Sequence, residues 1–389
     1  MKIALIGQKG IPAKSGGVEK HVEKLAERLA SQGHEVTAYT RPHYTDPTLS
    51  EWHGVRLVSL PSVNTKHLDA ITHTFMATMH ALFQDYDVIH YQSIGPSTLA
   101  FIPRIFKRGT AVVATFHSRD YFHKKWGAFA KWFLHFAEKL TCTVPEKTIT
   151  VSRGMAEYAK ATYGTDIPFI PNGAEGEPVG TVGFLRAFGL KEKRYILVVS
   201  RLVEHKGIHY LAKAFQELED TGKLPNNMKL VVVGTHAETP EYEAYLKTMN
   251  AGRENILFLG EQTGTALAEL FSHAAIFVQP SEDEGLSIAL LEAMSYGLPI
   301  IASDIPGNEE ALGGSGVYFA SKDVDSLKRE LASLINRPEE MELFGKLARG
   351  RAQNVYGWES IARQTVEVYD EAIHGKIGKR YGIRSGKSA

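Results

Sequence analysis

The sequence contains a single cysteine, Cys142, among 389 residues. An internal disulfide is therefore impossible, which fits a reducing compartment. No apolar run approaches the roughly 18–20 residues that span a bilayer. The chain starts with one short apolar strand that runs into a glycine loop, and this pattern is not that of a secretory signal. We expect a cytoplasmic protein, at most peripheral at the inner face of the membrane.

An excess of charge of one sign is also absent, because 44 Lys+Arg balance 44 Asp+Glu. We accordingly expect no nucleic-acid partner. Hydrophobic residues make up 43% of the chain and charged residues 23%, which is ordinary for a globular protein. A chain of this length suggests two domains.

Apolar runs alternate with helical patterns, first in residues 1–172 and again after residue 190. Alternation of this kind predicts parallel, doubly wound sheets, so the fold class is α/β with two Rossmann-like domains. The predicted strands are Lys2–Gly7, Glu35–Thr40, Val55–Leu60, Val88–Tyr91, Ala111–Phe116, Thr148–Val151, Tyr195–Val199, Lys229–Val233, Asn255–Leu259, Ile276–Val278 and Pro299–Ala302.

The alternation of strand and helix patterns ends at the predicted turn Pro171–Gly173. We place an interdomain linker in the glycine-rich stretch 173–183. We therefore predict an N-terminal domain over 1–172 and a C-terminal domain over 190–356. The last periodic segment, 357–374, is predicted to be a helix. The basic tail 375–389 is expected to be disordered.

Two glutamates, Glu284 and Glu292, flank an apolar helical segment that follows a buried strand. Backbone N–H groups of Gly285, Leu286 and Ser287 at the start of that helix can hold an anion, and the carboxylates can accept hydrogen bonds from hydroxyls. Glu292 is predicted to lie about two turns into the helix. This pattern suits a phosphorylated sugar, although two carboxylates alone also fit a hydrolase or a merely dipole-stabilising, solvated pair.

Arg201 and Lys206 directly follow the predicted strand Tyr195–Val199. Ligands of open α/β sheets bind beyond the carboxyl ends of the strands, and two cations can neutralise a diphosphate there. Plain surface cations on a loop remain the alternative.

In the first domain, Gly16 and Gly17 precede a helix and His117 follows the strand Ala111–Phe116. The glycines resemble a phosphate loop but lack the Walker spacing, and turn geometry would also explain them. His117 is a candidate to contact a sugar or an acceptor hydroxyl, or else a structural histidine.

The segment from His117 to Leu140 combines aromatic residues with lysines and arginine. Its apolar residues follow the spacing of one helix face, and they are Phe129, Trp132, Phe133, Phe136 and Leu140. Aromatic residues beside Arg119, Lys124, Lys125, Lys131 and Lys139 suit a membrane headgroup layer. The same stripe would also serve as a core face packed on the sheet, and both interpretations stay open.

Taken together, these motifs resemble the retaining GT-B glycosyltransferases of the large family that includes sucrose synthase and phosphatidylinositol mannosyltransferases. The glycine loop, the segment Ile170–Gly173, the Arg/Lys segment, the Glu-x7-Glu segment and the Trp358 helix occur in that family's order. The opening Ile11–Glu19 is similar to rhamnosyltransferase-like members of bacterial polysaccharide assembly.

The resemblance implies two domains that face each other across a cleft, with the last helix returning to the N-terminal domain. It implies that a nucleoside-diphosphate sugar, most simply a UDP-sugar, is the donor and that a saccharide or lipid-linked hydroxyl is the acceptor. The resemblance implies that Arg201 and Lys206 bind the donor diphosphate and that Glu292 binds the ribose hydroxyls. It implies that Glu284, with the backbone of Gly285 to Ser287, contacts the donor sugar and the phosphates. In the first domain, Gly16 and Gly17 would approach the diphosphate and His117 would lie beside the transferred sugar.

No Asp-x-Asp metal motif is apparent, so we expect no metal and no other cofactor. Arg201 and Lys206 would then stabilise the charge that develops on the leaving diphosphate. A GT-B nucleotide-sugar epimerase and a non-catalytic nucleotide-sugar-binding subunit remain alternatives to a glycosyltransferase.

Overall fold

The computed structural model describes residues 1–14, 16–65, 68–118, 128–235 and 240–381, with the backbone alone for 128–131 and 377–381. The chain forms two compact units. Met1–Asn172 and the segment from Trp358 onward form the N-terminal unit, and Gly173–Gly357 form the C-terminal unit.

The N-terminal unit contains a seven-stranded sheet with the order β3-β4-β2-β1-β5-β6-β7. Its strands are β1 (Lys2–Ile6), β2 (Glu35–Thr40), β3 (Glu51–Trp52), β4 (Val55–Ser59), β5 (Val88–Gln92), β6 (Ala111–Phe116) and β7 (Lys147–Thr150). The pairs are parallel except for β3 and β4. Helices cover both faces, which is why these strands read as continuous apolar runs.

Alternate residues of β1 face two different helical layers. Ile3 and Leu5 belong to the core formed with α1 (Gly17–Ser31) and α15 (Trp358–Tyr381), whereas Ala4 and Ile6 belong to the core beneath α2 (Asp69–Leu82). The remaining helices of this unit are α3 (Ile94–Ser97), α4 (Phe101–Phe106), α5 (Ala128–Thr143) and α6 (Arg153–Tyr163). Because α3 and α4 contact α2 and α5 contacts α3, we call α2, α3, α4 and α5 the α2 layer.

The C-terminal unit contains a six-stranded, all-parallel sheet with the order β10-β9-β8-β11-β12-β13. Its strands are β8 (Tyr195–Val199), β9 (Lys229–Val233), β10 (Ile256–Phe258), β11 (Ile276–Gln279), β12 (Ile300–Ser303) and β13 (Val317–Phe319). Its helices are α7 (Gly183–Ala187), α8 (Ile208–Asp220), α9 (Pro240–Met249), α10 (Gly264–His273), α11 (Ile288–Ser295), α12 (Pro306–Leu312), α13 (Val324–Ile335) and α14 (Pro338–Val355). The strand order reverses direction between β8 and β11, and open α/β sheets bind ligands at such a switch point.

Two chain segments differ from the sequence expectations. The stretch 173–189 belongs to the C-terminal unit, where the backbone N–H of Val179 donates to Ser272 Oγ at 2.9 Å and that of Ala174 donates to the Tyr356 carbonyl at 2.7 Å. The final helix extends to Tyr381 instead of ending near residue 374, and the Lys376 ammonium contacts the Thr110 carbonyl and Glu146. The expectation of a disordered tail is therefore wrong for 375–381, and residues 382–389 lie outside the described residues.

The aromatic stripe on α5 does not pack into the core. Leu134 and Ala137 form the buried face of this helix, whereas Trp132, Phe133 and Phe136 are 62%, 37% and 46% exposed. The core interpretation of the stripe is therefore wrong for these three residues. Phe129 and Lys131 belong to the part of α5 described by its backbone alone, and Arg119, Lys124 and Lys125 lie outside the described residues. No helix within the described ranges is both long and apolar enough to span a bilayer.

Candidate functional site

The loop after β8 is held against neighbouring loops by two glycines. Gly207 has φ +67°, and a Cβ there would lie 2.0 Å from the carbonyl oxygen of Pro280. Gly234 has φ +129°, and a Cβ there would lie 1.9 Å from the carbonyl oxygen of Ser200. A side chain at either position is excluded by sterics and by the backbone conformation. The carboxyl ends of β8, β9 and β11 are thereby brought together.

Lys206 and Glu284 form an ion pair at this edge, with Nζ 2.5 Å from Oε1 and both side chains largely buried. Gln279 Nε2 and Ser281 Oγ each donate to the same carboxylate oxygen at 2.8 Å. Burial alone would raise the pKa of Glu284, but the charge of Lys206 and these hydrogen bonds hold it below its ordinary value. Glu284 therefore stays ionised, and it positions the ammonium of Lys206.

The loop between β11 and α11 is held in place by contacts with β12 and α12, which follow it in the chain. Ser303 Oγ donates to the Ser281 carbonyl at 2.5 Å, and Asn308 Nδ2 donates to Ser303 Oγ at 2.9 Å. A Cβ at Gly307 would lie 2.4 Å from the carbonyl oxygen of Glu284. Only glycine lets α12 approach the loop this closely, so Gly307 supports the position of Glu284.

The helix that carries Glu292 begins later than the sequence suggested. Ser287 is the N-cap of α11, and its Oγ accepts the N–H of Leu290 at 3.4 Å. Glu292 thus lies about one turn into the helix rather than two. Glu292 as a whole residue is 8% exposed. Within the described residues, the N–H groups of Gly285 and Ser287 donate no hydrogen bond, so they are available to an anion.

Arg201 differs from Lys206 in its surroundings. Its side chain is exposed and forms no ion pair with any residue that the structure describes. One cation at the end of β8 is therefore pre-positioned by a carboxylate, while the other is free to follow a ligand. Together with the Gly285 and Ser287 N–H groups, they can hold a diphosphate.

The corresponding edge of the N-terminal unit carries the glycine loop. Gly16 has φ +99° and is the N-cap of α1, and Gly17 is its first residue. A Cβ at Gly16 would lie 2.2 Å from Glu19 Oε2, and Glu19 Oε1 accepts the N–H of Lys9 at 3.3 Å. The carboxylate of Glu19 therefore occupies the space that a side chain at position 16 would need, which accounts for a glycine at that position.

His117 lies at the end of β6 and belongs to a group of buried, neutral side chains. Its Nε2 is 2.9 Å from Gln92 Oε1, and its ring contacts that of His21 with centroids 4.9 Å apart. Burial and the neighbouring His21 and His90 hold the pKa of His117 well below its ordinary value. Burial also lowers the pKa of His21 to about 4 and that of His90 to about 3. This site can exchange hydrogen bonds with hydroxyls without adding charge.

Comparison with known proteins identifies the chain as a transferase. A family model described as glycosyl transferases group 1 matches residues 185–351, and one described as glycosyltransferase family 4 matches residues 15–176. The chain is a glycosyltransferase. It belongs to a group of enzymes that use nucleotide-sugar donors, and its two Rossmann-like units have the GT-B fold.

Full-length relatives support this assignment. An uncharacterised glycosyltransferase of Methanocaldococcus jannaschii is 28% identical over 96% of this chain and 99% of its own length. The MMP α-(1→4)-mannosyltransferase of Mycolicibacterium hassiacum is 27% identical over 96% and 98%. The structure of Anabaena HepE in complex with UDP-glucose superposes with a TM-score of 0.76, covers 95% of this chain and 100% of that one, and shares 19% identity.

Several site residues of this glycosyltransferase escaped sequence reasoning. Gln92, His21 and His90 were not singled out, although a glutamine at the end of an apolar strand is a usable signal. Gly307 was also missed because its close neighbour, the carbonyl oxygen of Glu284, belongs to a distant loop, and Asn308 because its bonds to Ser303 form only once β12 and α12 are in place. Cys142 is buried, and burial raises the pKa of its thiol to about 12.

Two Asp-x-Asp tripeptides do occur, at Asp85–Asp87 and Asp323–Asp325, and the sequence reasoning did not assign them. The first pair serves Lys2: Asp87 accepts its backbone N–H at 2.7 Å and Asp85 pairs with its ammonium at 3.4 Å. In the second, Asp323 caps α13 and Asp325 pairs with Lys328. Within the described ranges, no group of three metal-ligating side chains comes together.

Proposed function

We propose that this protein is a retaining glycosyltransferase that moves a sugar from a nucleoside-diphosphate sugar to an acceptor hydroxyl. The observation that carries the proposal is the Lys206–Glu284 pair, held beside the exposed Arg201 at the carboxyl ends of β8 and β11. The reaction requires positive charge where the diphosphate departs, and this arrangement supplies it in a partly buried setting.

Lys206 can serve Glu284 and the diphosphate at once because an ammonium has three donor hydrogens. Arg201 can add two parallel hydrogen bonds to phosphate oxygens. We assign Glu292 to the ribose hydroxyls, Gly285, Leu286 and Ser287 to the phosphates through their backbone, and Glu284 to the donor sugar. Gly16 and Gly17 would face the diphosphate and His117 the transferred sugar.

Two features support retention of the anomeric configuration by departure and attack on one face. Glu284 Oε1 already accepts from Lys206, Gln279 and Ser281, so this oxygen is poorly suited to attack the sugar. The relative from M. hassiacum is named for an α linkage, which is the retained configuration when the donor sugar is α-linked to its diphosphate. In the proposed reaction the acceptor oxygen bonds to the anomeric carbon as the bond to the diphosphate breaks, and the departing phosphate takes the acceptor proton.

We propose a UDP-sugar as the donor, because the HepE structure holds UDP-glucose. The test is incubation with a panel of nucleotide sugars and a mixed acceptor pool, with NMR of the product. A product of unchanged anomeric configuration is expected. A released, altered sugar without acceptor would identify an epimerase, and donor binding with no turnover on any acceptor would identify a non-catalytic subunit.

We further propose that the acceptor belongs to bacterial polysaccharide or glycolipid assembly and is lipid-linked, with the N-terminal unit peripheral at the inner face of the membrane. Every exposed large apolar side chain in the described part of this unit lies in the α2 layer or in the chain directly before or after α2. These residues are Val63, Leu68, Phe75, Met76, Phe83, Phe101, Ile105, Phe106, Trp132, Phe133 and Phe136.

A surface of this kind suits a headgroup layer better than water. Arg108, in the loop after α4, and Lys139, on α5, are exposed and can pair with anionic lipids. Co-sedimentation with anionic and neutral vesicles tests the proposal. The double variant Trp132→Ser/Phe136→Ser should reduce binding to anionic vesicles, while Phe188→Ser/Tyr245→Ser, which removes equally exposed aromatics from the C-terminal unit, should not. Background recovery of the wild type with both vesicle types would contradict it.

A further inference from the structure

Gln279 is a buried amide at the end of an otherwise apolar strand. Residues 276–278, which precede it in β11, are apolar and fully buried, and Gln279 itself is 2% exposed. Its Nε2 donates to Glu284 Oε1 at 2.8 Å and to Ser281 Oγ at 2.9 Å, so both amide hydrogens are used. Its Oε1 is buried and has no partner among the described residues. Because an unpaired buried carbonyl oxygen lowers stability, packing alone does not explain this amide.

The donors around Glu284 determine which end of the amide faces it. An ionised carboxylate only accepts hydrogen bonds, so the Gln279 atom beside Glu284 Oε1 is the nitrogen. The single hydrogen of the Ser281 hydroxyl goes to the same carboxylate oxygen at 2.8 Å, while Ser281 Oγ accepts from Gln279. Lys206 Nζ lies 2.5 Å from that oxygen and is its third donor. Three donors saturate one carboxylate oxygen, so a substrate hydroxyl cannot bind to Oε1.

The second oxygen of the carboxylate is left for a ligand. Glu284 Oε2 accepts no hydrogen bond from any residue in the described ranges, and it is not closed off from solvent. The torsion that rotates a terminal carboxylate has only a weak preference of its own, so contacts must set the plane of the group. The donors on Oε1 provide these contacts, and they thereby set the direction in which Oε2 points.

We propose that Gln279 is a positioning residue for sugar transfer: by donating to Glu284 Oε1 and Ser281 Oγ, it orients the carboxylate so that Oε2 accepts a hydroxyl of the donor sugar. This inference rests on the proposed glycosyltransfer and on the sugar role given there to Glu284. Gln279 itself contacts neither the sugar nor the departing diphosphate. An apolar side chain at position 279 would continue the apolar run of β11, but it would leave the carboxylate with one donor fewer.

Gln279→Met removes both donor hydrogens and keeps the length of the side chain. The kcat for transfer, measured with the donor that the nucleotide-sugar panel selects, should fall at least tenfold. UDP lacks the sugar, and the Lys206–Glu284 pair does not depend on Gln279. Calorimetry should therefore give a UDP affinity within twofold of the wild-type value. A loss of kcat without a loss of UDP affinity separates positioning at the sugar from general damage to the site.

Gln216→Met is the matched control. Gln216 lies on α8 of the same unit, and its Nε2 also donates two hydrogen bonds, to the Met249 carbonyl at 3.0 Å and to Asn250 Oδ1 at 2.8 Å. This variant loses the same number of amide hydrogen bonds away from Glu284, so kcat and UDP affinity should both stay at the wild-type values. Thermal unfolding of every variant shows whether the fold persists.

Gln279→Glu is the second variant, because it preserves the shape of the side chain. At pH 8 Lys206 can neutralise only one of two adjacent carboxylates, so repulsion should displace Glu284 and lower kcat at least tenfold. At pH 5.5 a proton shared between the two carboxylates restores a hydrogen bond. The kcat relative to the wild type at the same pH should then be at least threefold higher than at pH 8. A merely structural amide predicts no such dependence on pH.

Deoxy analogues of the same donor test the contact with the sugar. In the wild type, the analogue that lacks the hydroxyl bound by Oε2 should react at least tenfold more slowly than the full donor. In Gln279→Met the same analogue should lose less than threefold, because the contact is already weakened there. Equal losses for every analogue in both proteins would overturn the proposal, as would wild-type kcat in folded Gln279→Met and Gln279→Glu.

The outcomes also separate this inference from the proposed function. A wild type that transfers no sugar from any donor would overturn the proposed function and this inference with it. A wild type that transfers sugar no faster than both Gln279 variants would overturn this inference alone. A parallel loss of kcat and UDP affinity in both variants would overturn the role at the sugar and assign Gln279 to the nucleotide instead.

Discussion

The candidate site residues of the two units differ in charge. The edge of the C-terminal unit combines the ion pair of Lys206 and Glu284 with the exposed Arg201. At the carboxyl ends of β5 and β6, the N-terminal unit offers Gln92 and His117 together with His21 of α1, and burial keeps the two histidines neutral. The difference suggests a division of labour: charge is supplied where a diphosphate departs, and neutral hydrogen-bonding groups are supplied where hydroxyls are recognised.

The largest expected effect follows from removing charge at the C-terminal edge. Arg201→Ala and Lys206→Ala should each lower kcat by two to three orders of magnitude, since losing one preorganised contact to developing charge costs about 3–4 kcal/mol. Steady-state kinetics, with the donor that the nucleotide-sugar panel selects, provides the measurement. Lys346→Ala, at an exposed lysine of the same unit that pairs with Glu342, is the matched control. Turnover near the wild-type value in a folded Arg201 or Lys206 variant would show that the diphosphate is held elsewhere.

Sequence reasoning predicted the strands well and the outer surfaces poorly, for one physical reason. A strand covered by helices on both faces is apolar along its whole length, so β1, β6 and β8 could be located locally. The helical stripe at Trp132, Phe133 and Phe136 has the spacing of a core face, yet it faces outward. Periodicity shows that a helix has an apolar face, but it does not reveal what covers that face.

The same limit applies to the candidate site. Arg201, Lys206 and Glu284 could be selected because each follows a predicted strand, where ligands of such sheets bind. The contact between His21 and His117 joins residues almost 100 positions apart, and no local pattern indicates it. Likewise, the extension of α15 to Tyr381 accompanies a contact from Lys376 to Thr110 far away in the chain.

A smaller effect is expected at Glu292, which would contact the nucleotide in the ground state and the transition state alike. Glu292→Ala should weaken binding of the nucleoside diphosphate about ten- to a hundredfold with little change in kcat, because a hydrogen bond to a charged group contributes about 1.5–3 kcal/mol. Calorimetry gives the affinity. Glu309→Ala, on α12 in the same unit, controls for the loss of one carboxylate. Unchanged affinity of Glu292→Ala would rule out the ribose role.

The buried, neutral histidines of the N-terminal unit predict that the free energy of unfolding depends on pH. His21 and His90 have pKa values of about 4 and about 3 in the folded protein, whereas the unfolded chain binds protons near pH 6.5. Below pH 6.5 each of these histidines is protonated in the unfolded chain but not in the folded protein. The free energy of unfolding should therefore fall by about 1.4 kcal/mol per pH unit for each histidine, until the pH reaches that histidine's folded pKa. Stability is therefore full above pH 6.5 and is lost as the pH falls.

Urea unfolding between pH 7 and pH 4.5, followed by tryptophan fluorescence, measures this slope. His21→Gln should reduce the slope by the contribution of one proton, while His135→Gln, at an exposed position of α5, should leave it unchanged. A wild-type slope that is unaffected by His21→Gln would show that this ring is protonated in the folded state, and the neutral character of the N-terminal edge would have to be revised.

Removing divalent metal ions is expected to have no effect on the rate of transfer. This experiment tests whether side-chain cations alone neutralise the charge of the departing diphosphate. If Arg201 and Lys206 replace a metal ion, transfer should proceed at an unchanged rate in excess EDTA, and added Mg²⁺ or Mn²⁺ should not increase it. The structural roles of Asp85, Asp87, Asp323 and Asp325 support this expectation, because their carboxylates cap a helix or serve nearby lysines and backbone groups. Activity that disappears with chelator and returns only with Mg²⁺ or Mn²⁺ would assign the charge at the departing diphosphate to a metal. In that case side-chain charge would not account for the stabilisation of the departing diphosphate. The kcat of Arg201→Ala would then be expected to fall by less than the two orders of magnitude given above.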